Sequence, residues 1–274
     1  MSDAAAASSP TREERGTEGR RRGLLAAWRG GLPLLYALLG VFAVWQAVVL
    51  VFEPHVSLLP PPLLAVQTFF TLLVSGELLQ HIGISLFRVV AAWCIAGLIA
   101  IPMGLAMGRS RRLERIVDPV VELFRPISPL AWIPLAILWF GINETGKIFV
   151  VFIGAVFPML IATIAGVKQI DPVLVHAGQV LGCKDSSSLF RKIILPASLP
   201  AIIVGMRIAF GTGWASIIAA ELVAARSGLG YLIANGMEVL RADQVLVGMM
   251  TIGLLGVAFD MGFRALHRRF AHGD

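Results

Sequence analysis

The chain has 274 residues, of which 57% are hydrophobic and 15% are charged, and its mean hydropathy is +0.81. Soluble domains carry about 25% charged residues, so this composition excludes an ordinary cytosolic enzyme and a disordered protein. The 2 cysteines, Cys94 and Cys183, lie far apart in the sequence, and we interpret neither as part of a disulfide, a metal site or a redox pair.

The net charge is +6 and the isoelectric point is about 10.0. In a soluble protein this balance would favour a nucleic-acid partner. Here the basic residues lie at the ends of apolar runs, and outside the tails no basic face is interleaved with aromatic residues. Membrane topology therefore explains the charge, and we expect no nucleic-acid partner.

Six apolar runs are candidates for membrane-spanning helices, because about 20 apolar residues in a helix cross the hydrocarbon core of a bilayer. They cover residues 32–52, 86–107, 127–140, 148–167, 199–223 and 245–266. The sequence thus predicts an all-α membrane protein with about six transmembrane helices.

Basic residues are concentrated in segments 1–31, 109–115, 168–192 and 264–269. The segments between them on the opposite side contain few Lys or Arg residues. Because cytoplasmic loops carry an excess of these residues, we predict that the four basic segments and both termini lie in the cytoplasm.

Residues 1–31 are rich in Ala, Ser, Pro, Glu and Arg, which predicts a disordered basic tail. The following run, 32–52, is too long for the apolar part of a signal peptide, and no small-residue cleavage site follows it. We interpret this run as the first membrane anchor. The membrane domain then extends over 32–270 and leaves a short C-terminal tail, 271–274.

The connector after the first span contains Pro60, Pro61 and Pro62, which predict an extended, helix-free segment. Residues 63–79 follow it with an amphipathic pattern. They are expected to form a helix that lies on the outer face of the membrane.

The third candidate span, 127–140, is the most irregular one. Its region contains three prolines, Pro126, Pro129 and Pro134. Each proline removes a backbone donor, so the freed carbonyls must face protein or a cavity, and broken helices often line transport sites. Ser128 and Trp132 are therefore candidate contacts of a translocated molecule, and a kinked packing helix is the alternative. Arg125 could bind an anionic group or anchor the helix at the membrane surface.

Residues 141–147, GINETGK, match the G-x-x-x-x-G-K spacing of a phosphate-binding loop. The Ser or Thr that would bind Mg²⁺ is replaced by Ile148, and no buried strand precedes the segment. We interpret Asn143, Gly146 and Lys147 as a turn and an interface cap, and no other segment could cradle phosphates. ATP is therefore not expected to bind to this chain.

The longest predicted cytoplasmic loop, 168–198, has the signals of a helical hairpin. Asp171 is a good N-cap with Pro172 at the first helical position, and the first helix should extend to Leu181. Gly182 fits the left-handed position after a helix.

Asp185 or Ser186 can cap a second short helix in this loop, which we expect to end at Leu195-Pro196. The hairpin has an apolar side. That side could lie on lipid headgroups, pack on the chain's own helices, or dock into the groove of a soluble partner.

This loop resembles the cytoplasmic coupling loop of ABC-importer permeases, whose consensus is E-A-A, three residues, a glycine, about nine residues, and I-x-L-P. Here His176-Ala177-Gly178 precede Gly182, and the segment ends in Ile193-Ile194-Leu195-Pro196. The Ala, the Gly and the terminal Leu-Pro match in spacing. His176 replaces the consensus Glu and Gly178 replaces the second Ala.

The resemblance covers residues 32–270. The stretch 118–148 is similar to permeases for nitrate, sulfonates and taurine, and the runs 129–135, 214–216 and 219–222 are similar to the taurine branch. The resemblance implies a type I ABC importer permease (MetI-like) fold with a cytoplasmic coupling-helix hairpin. It also implies that the chain is a permease for taurine or related alkanesulfonates, with nitrate or another small anion as the alternative.

The family implies partners and roles for this chain. We expect a second permease subunit in a homodimer, two cytoplasmic ATPase subunits, an extracytoplasmic substrate-binding protein, and membrane lipid of a bacterial inner membrane. ATP and Mg²⁺ would bind to the ATPase partner, so this chain would bind no cofactor and would not be an enzyme by itself. The residues implied in ATPase coupling are His176, Ala177, Gly178, Gly182, Cys183, Lys184, Asp185, Leu189, Leu195 and Pro196.

The fifth candidate span carries unusual polar residues. Glu221 could line the pathway and pair with the ammonium of a zwitterion such as taurine, or it could pair with Arg226 or a backbone group near the water interface. Arg207 could snorkel to the cytoplasmic headgroups or belong to the pathway. Trp214 and Ser216 lie among small residues, which favours a close helix seam, with substrate contact as the alternative.

The sequence disfavours two further function classes, an enzyme and a stand-alone secondary transporter. Ser, His and Asp residues are too scattered for a catalytic triad, and His176 has no second metal ligand near it in sequence. A stand-alone secondary transporter would favour internal repeats or intramembrane acids in both halves, and it would have no use for a cytoplasmic hairpin. The sequence therefore favours the permease subunit.

Overall fold

The computed structural model describes Tyr36, residues 40–183 and residues 185–271, with side chains up to residue 265. Every regular element in this part of the chain is helical. The elements are α1 (Gly40–Phe52), α2 (Pro62–Val74), α3 (Glu77–Arg109), α4 (Arg111–Phe124), a 3₁₀ turn (Pro129–Trp132), α5 (Ile133–Phe140), α6 (Glu144–Lys168), α7 (Pro172–Val180), α8 (Ser186–Leu189), a π-helical turn (Phe190–Ile194), α9 (Leu195–Ala224), α10 (Leu229–Glu238) and α11 (Ala242–Ala271).

Four stretches in the described part of the chain are long and apolar enough to cross a membrane, and a bent helix pair raises that number to five. The four stretches contain α3, α6, α9 and α11, which correspond to the second, fourth, fifth and sixth predicted spans. The expectation of an all-α membrane protein is confirmed. The predicted N-terminal tail, 1–31, lies outside the described residues, as do residues 272–274 of the predicted C-terminal tail, 271–274.

The chain divides into two compact units, residues 1–64 and residues 65–274. In the described part of the first unit, α1 holds Phe42 and Trp45, whose ring centroids lie 5.8 Å apart. Only the part of the first predicted span from residue 40 onward is described, and α1 is a short apolar helix. The second unit holds α2 from residue 65 onward and the described helices α3 to α11.

Helix α6 is the centre of the second unit, because it packs against α3 on one side and against α9 on the other. Small residues let the backbones approach closely. A Cβ atom on Gly205 of α9 would lie 2.4 Å from the Cβ of Ala162, and one on Gly104 of α3 would lie 2.7 Å from the Cβ of Thr163. Larger side chains at either glycine would separate these helices.

Helix α3 begins nine residues earlier than the second predicted span. Gly76, which lies between α2 and α3, adopts a left-handed φ of +81°, and α3 begins at Glu77. Polar residues such as His81 and Ser85 made this first part look unlike a span, yet both are buried against the rest of the unit. Burial in protein explains why polar side chains are tolerated here.

The predicted third span, 127–140, is wrong as a single helix. Helix α4 ends at Phe124, and the following 3₁₀ turn with α5 lies at 82° to it. Helix α5 has 8 residues and therefore a length of about 12 Å, which is too short to cross a bilayer. The prolines explain this break, because they remove backbone donors on both sides of the bend.

Two further expectations about helix ends are corrected. Leu195-Pro196 does not end the second hairpin helix, because the π-helical turn leads directly into α9 and Pro196 lies in the first turn of α9, where its missing N–H is tolerated. Helix α10 was not predicted at all. It lies in the segment expected to be the last outer loop, where its ten residues bury Leu229, Leu232 and Ile233.

Candidate functional site

A buried ion pair joins α3 to α9. Arg88 and Glu221 are each 1% exposed, and Nη1 of Arg88 lies 2.7 Å from Oε1 of Glu221. Ser85, one turn before Arg88, donates its hydroxyl to the same carboxylate at 2.8 and 2.9 Å. A buried ion pair is tolerated only when the remaining hydrogen-bonding groups of both side chains have partners. The remaining N–H groups of Arg88 also have partners.

The other donors of Arg88 hold two further segments. Its Nη2 donates to Oε1 of Glu144, the first residue of α6, at 2.7 Å, and its Nη1 donates to the carbonyl oxygen of Ser227 at 2.7 Å. Lys147 adds a second cation 2.9 Å from Oε1 of Glu144. Arg88 thus ties α3, α6, α9 and the turn before α10 together at one point.

The turn between α9 and α10 is built around the Glu221 carboxylate. Gly228 has a left-handed φ of +114°, and a Cβ atom there would lie 2.3 Å from Oε1 of Glu221. The backbone N–H of Gly230 donates to Oε2 of Glu221 at 3.0 Å, and that of Leu229 donates to the Ser85 hydroxyl at 2.8 Å. Only glycine at position 228 leaves room for this closed carboxylate pocket.

Glu221 was a candidate pathway residue, and in this structure its carboxylate faces the interior of the protein. Its partner is Arg88 rather than Arg226, while the backbone partner considered from the sequence is present as Gly230. The sequence reasoning overlooked Arg88, although an arginine inside an apolar run is itself a signal that an acid lies nearby.

Trp214 and Ser216, two other candidate pathway residues, also lie inside the second unit. The Nε1 of Trp214 donates to the carbonyl oxygen of Ile252 at 3.3 Å, and its ring packs against Phe259 of α11. The hydroxyl of Ser216 donates to the carbonyl oxygen of Thr212 at 2.7 Å. Both residues contribute to helix packing in this structure.

Ser128 and Trp132, the remaining pathway candidates, flank the 3₁₀ turn at the break after α4. Ser128 is exposed and directly precedes this turn. Trp132 is half-buried, with its ring 5.9 Å from Phe124 and 6.1 Å from Phe149. The structure does not bring Ser128 and Trp132 together with Glu221 or Trp214.

A cavity of about 440 Å³ lies beside this break, between α6 and α9. Its walls are mainly apolar, and its polar groups include the Arg125 guanidinium and the Thr212 hydroxyl. Thr212 donates to the carbonyl oxygen of Gly154 at 2.8 Å. Among the side chains that the structure describes, no carboxylate lies within 4.0 Å of the Arg125 guanidinium. Arg125, an exposed residue that lines the cavity, therefore has no ion-pair partner among these side chains.

The first helix of the hairpin in residues 168–198 forms as its local signals predict. The Asp171 carboxylate accepts the N–H of Val173 at 2.8 Å and caps α7, with Pro172 at its first position. Helix α7 ends at Val180, and Gly182 has a left-handed φ of +101°. The N–H of Cys183 then donates back to the carbonyl oxygen of Gly178 at 3.0 Å. The tip of the hairpin is therefore a closed turn.

The inner face of the hairpin is tightly packed at Gly178. A Cβ atom there would lie 1.8 Å from Cδ1 of Ile193, which lies in the π-helical turn. The outer tip is apolar and open, since Val180 is 86% exposed and Leu181 is 85% exposed. Two large apolar side chains at a loop tip indicate a surface that another molecule covers.

The ten candidate coupling residues divide between these two faces. Gly178 is buried and Cys183, Leu189 and Leu195 are half-buried, and Lys184 lies outside the described residues. The exposed members are His176, Ala177, Gly182, Asp185 and Pro196. Nδ1 of His176 lies 2.6 Å from the carbonyl oxygen of Pro172 within the same helix.

The described part of the chain includes residues 141–147, which lead into the start of a helix, and His, Cys, Asp and Glu side chains, the types that bind metal ions. In this part of the chain, no group of three His, Cys, Asp or Glu side chains could hold a metal ion. The G-x-x-x-x-G-K segment is not a loop around a ligand, because α6 begins at Glu144. Gly146 and Lys147 are therefore buried helix residues rather than turn residues, and only Asn143 lies in the turn, where its Nδ2 donates to the carbonyl oxygen of Phe140.

A family model described as "Binding-protein-dependent transport system inner membrane component" matches residues 96–272 of the chain. The fold is similar to that of a solved structure of the MetNI methionine ABC transporter in inward-facing conformations, with a TM-score of 0.64 and 19% identity. That match covers 72% of this chain and 97% of the other chain. At this identity the match shows the fold.

Relatives of the chain include permeases of named transport systems. The taurine transport system permease protein TauC of Escherichia coli (strain K12) is 40% identical over 79% of this chain and 81% of its own length. The putative aliphatic sulfonates transport permease protein SsuC of the same strain is 41% identical, over 84% and 87%. The bicarbonate transport system permease protein CmpB of Synechocystis sp. (strain ATCC 27184 / PCC 6803 / Kazusa) is 32% identical, over 89% and 90%.

Proposed function

Because the chain belongs to the family of binding-protein-dependent transport system inner membrane components, we propose that it is the permease of an ATP-driven importer for taurine or a related alkanesulfonate. Family membership makes the chain a permease subunit of an ABC importer in the inner membrane, and such subunits are not enzymes by themselves. Members of this family depend on a binding protein, which argues against the hypothesis of a stand-alone secondary transporter.

The observation that carries the substrate proposal is the cavity between α6 and α9 with Arg125 in its wall. A volume of about 440 Å³ is within the range of about 300–1,000 Å³ that small-molecule sites occupy. A guanidinium binds a planar or tetrahedral oxyanion through two parallel N–H groups, and a sulfonate offers such oxygens. The apolar walls around it suit a short alkyl chain, which bicarbonate and nitrate lack.

The hairpin supports coupling to an ATPase. Its inner face is fixed by Gly178 against Ile193, so that α7 and α8 move as one body. Its open tip, with Val180 and Leu181, provides the apolar contact for a groove in the partner. ATP and Mg²⁺ belong to that partner. Closure of the ATPase around ATP would move the hairpins and shift the membrane helices between their two states.

The assembly that follows contains two copies of this permease, two ATPase subunits in the cytoplasm and a substrate-binding protein outside. The charge distribution supports an orientation with both termini in the cytoplasm. In this orientation the hairpin faces the ATPase, and the Arg88 network lies toward the outer end of the helices. Residues 1–31 would be a cytoplasmic tail, and 32–270 would be the permease domain.

The experiment that tests this function measures ATP hydrolysis by the purified complex in lipid nanodiscs. The binding protein is added empty, with taurine, with a longer alkanesulfonate, with nitrate or with bicarbonate. Stimulation by the taurine-loaded or sulfonate-loaded binding protein alone supports the proposal. Stimulation by nitrate or bicarbonate instead keeps the importer and rejects the substrate, and failure to recover an ATPase with the chain rejects the coupling.

Arg125 supplies a sharper test of the cavity. Replacing Arg125 with glutamine is expected to raise the taurine concentration needed for half-maximal transport by tenfold or more, because a charge-assisted hydrogen bond is lost. Arg125→Lys keeps the charge without the fork and should lie in between. The measurement is radiolabelled uptake into proteoliposomes at matched permease levels.

Arg115 provides the matched control for this experiment. It is an exposed arginine of α4 that does not line the cavity. Arg115→Gln should leave the half-saturating concentration unchanged. Equal effects of the two glutamine variants would show that Arg125 acts only through the general surface charge and would contradict a substrate contact.

A further inference from the structure

Three charged side chains bridge α9 and α11, and none of them belongs to the Arg88 network or is among the residues that line the cavity. The Nε and Nη2 of Arg207 lie 2.6 and 2.5 Å from Oδ1 of Asp260. The Nε and Nη2 of Arg264, one turn further along α11, lie 2.8 and 2.6 Å from Oδ2 of the same residue. One carboxylate is shared by two guanidinium groups, so the Arg207–Asp260–Arg264 cluster has a net charge of +1.

Both arginines keep donors that the carboxylate does not use. A guanidinium has five N–H groups, and Asp260 accepts from one side of each. Among the residues that the structure describes, no other carboxylate lies within 4.0 Å of either guanidinium. The side chain of Arg207 is 38% exposed and that of Arg264 is 60% exposed. The free N–H groups therefore face outward from the helix pair.

The position of the cluster along α11 matches a membrane boundary. Asp260 lies 18 residues after Ala242, the first residue of α11, which corresponds to a rise of about 27 Å. The hydrocarbon core is about 30 Å thick, so a core that begins at Ala242 places the cluster just inside its far boundary, from which long arginine side chains can reach the headgroups. The sequence adds Arg268 and Arg269 within the following turns of the same helix.

The surface beside the cluster is apolar. Val257 and Met261 lie three residues before and one residue after Asp260, on the same side of α11, and both are exposed. Val204, one turn before Arg207 on α9, is exposed as well. The two arginines can therefore bind an anionic group, and the exposed apolar residues beside them can contact an acyl chain.

We propose that the Arg207–Asp260–Arg264 cluster binds the phosphate of an anionic phospholipid, whose acyl chain lies along Val257 and Met261. A bridge between two helices needs only one arginine for one carboxylate. The second arginine gives the cluster its excess positive charge. At the edge of the hydrocarbon core, an anionic lipid headgroup can bind to this charge. Inorganic phosphate has the same chemistry but lacks the acyl chain.

Native mass spectrometry of the full-length permease assembly tests this site. The assembly is purified in neutral detergent and titrated with phosphatidylglycerol or with phosphatidylcholine of the same chain length. The double variant Arg207→Gln/Arg264→Gln should bind phosphatidylglycerol at least fivefold more weakly, since each lost cation near the surface weakens binding by about that factor. Arg241→Gln, which removes an exposed arginine at the other end of α11, is the matched control.

Asp260→Asn separates lipid binding from helix bridging, because it breaks both ion pairs and leaves both cations. Retained or tighter phosphatidylglycerol binding in Asp260→Asn, together with the loss in the double variant, supports the lipid site. Equal phosphatidylglycerol affinities of wild type and double variant would overturn it. Binding of phosphatidylcholine as tight as that of phosphatidylglycerol, or displacement of the lipid by millimolar inorganic phosphate, would overturn it as well.

Discussion

Replacing Arg88 with alanine is expected to lower the free energy of unfolding by about 3–5 kcal/mol, because Glu221 would remain buried without its cation. The change also removes the hydrogen bonds to Glu144 and Ser227, so the turn before α10 should loosen. The measurement is thermal unfolding of the purified permease in lipid nanodiscs, in which the midpoint should fall by about 10 °C.

Two comparisons show whether burial causes this loss. Arg241→Ala removes an exposed arginine that donates to Asp243 at 2.7 Å, a hydrogen bond that raises the pKa of Arg241. Because Arg241 is half exposed and Thr68 still donates to the Asp243 carboxylate after the change, the loss of stability should be smaller than in Arg88→Ala. The double variant Arg88→Met/Glu221→Leu should recover part of the stability, because no uncompensated charge stays buried. If Arg88→Ala and Arg241→Ala were equally stable, the proposed importance of the buried pair would be wrong.

Replacing Gly178 with leucine is expected to reduce recovery of the ATPase with the permease at least tenfold, and uptake with it. The first added carbon would lie 1.8 Å from Cδ1 of Ile193, and the rest of the side chain would separate α7 from the π-helical turn. Overpacking of this kind costs about 1–3 kcal/mol or more, and it displaces the open tip at Val180 and Leu181. The measurement is co-purification at matched levels of inserted permease.

Two variants check that the inner packing of the hairpin is responsible. In Gly178→Ala/Ile193→Val the second change removes the atom that the new methyl group would meet, so recovery of the ATPase should stay near that of wild type. Gly182→Leu meets no atom within 4 Å and is strained only by its φ of +101°, which costs about 1–2 kcal/mol. A larger loss in Gly182→Leu than in Gly178→Leu would transfer the coupling role from the inner face to the tip.

Some parts of the fold could be read from local patterns. Helices α3, α6, α9 and α11 are long continuous apolar runs, and a single chain segment of that kind has no stable place except a membrane or a core. The caps of the hairpin at Asp171 and Gly182 are likewise local, because they depend on the backbone within a few residues. For the same reason, the candidate coupling residues could be named from spacing alone, and their role stays a prediction.

Other parts depended on residues that are distant in sequence. The proline-rich third span was recognised as irregular, yet its 82° bend is set by the packing of α5 on α6 as well as by the prolines. The apolar pattern of α10 is too short to predict a helix by itself. The position of this helix depends on the contacts of Gly228 and Gly230 with the Glu221 side chain. The small residues around Trp214 favour a close helix seam, and the polar Glu221 favours a partner, but neither pattern identifies the residues that these side chains contact.

The sequence by itself determined that this is a helical membrane protein, which long apolar segments form its main helices, and how the first helix of its hairpin is capped, because each depends on neighbouring residues. Only the tertiary structure decided that Arg88 pairs with Glu221, that Arg125 lines a cavity, and that Asp260 joins two arginines. Arg88 and Glu221 are 133 residues apart. Their meeting depends on the packing of α3, α6 and α9, and no local pattern encodes the distance between two helices.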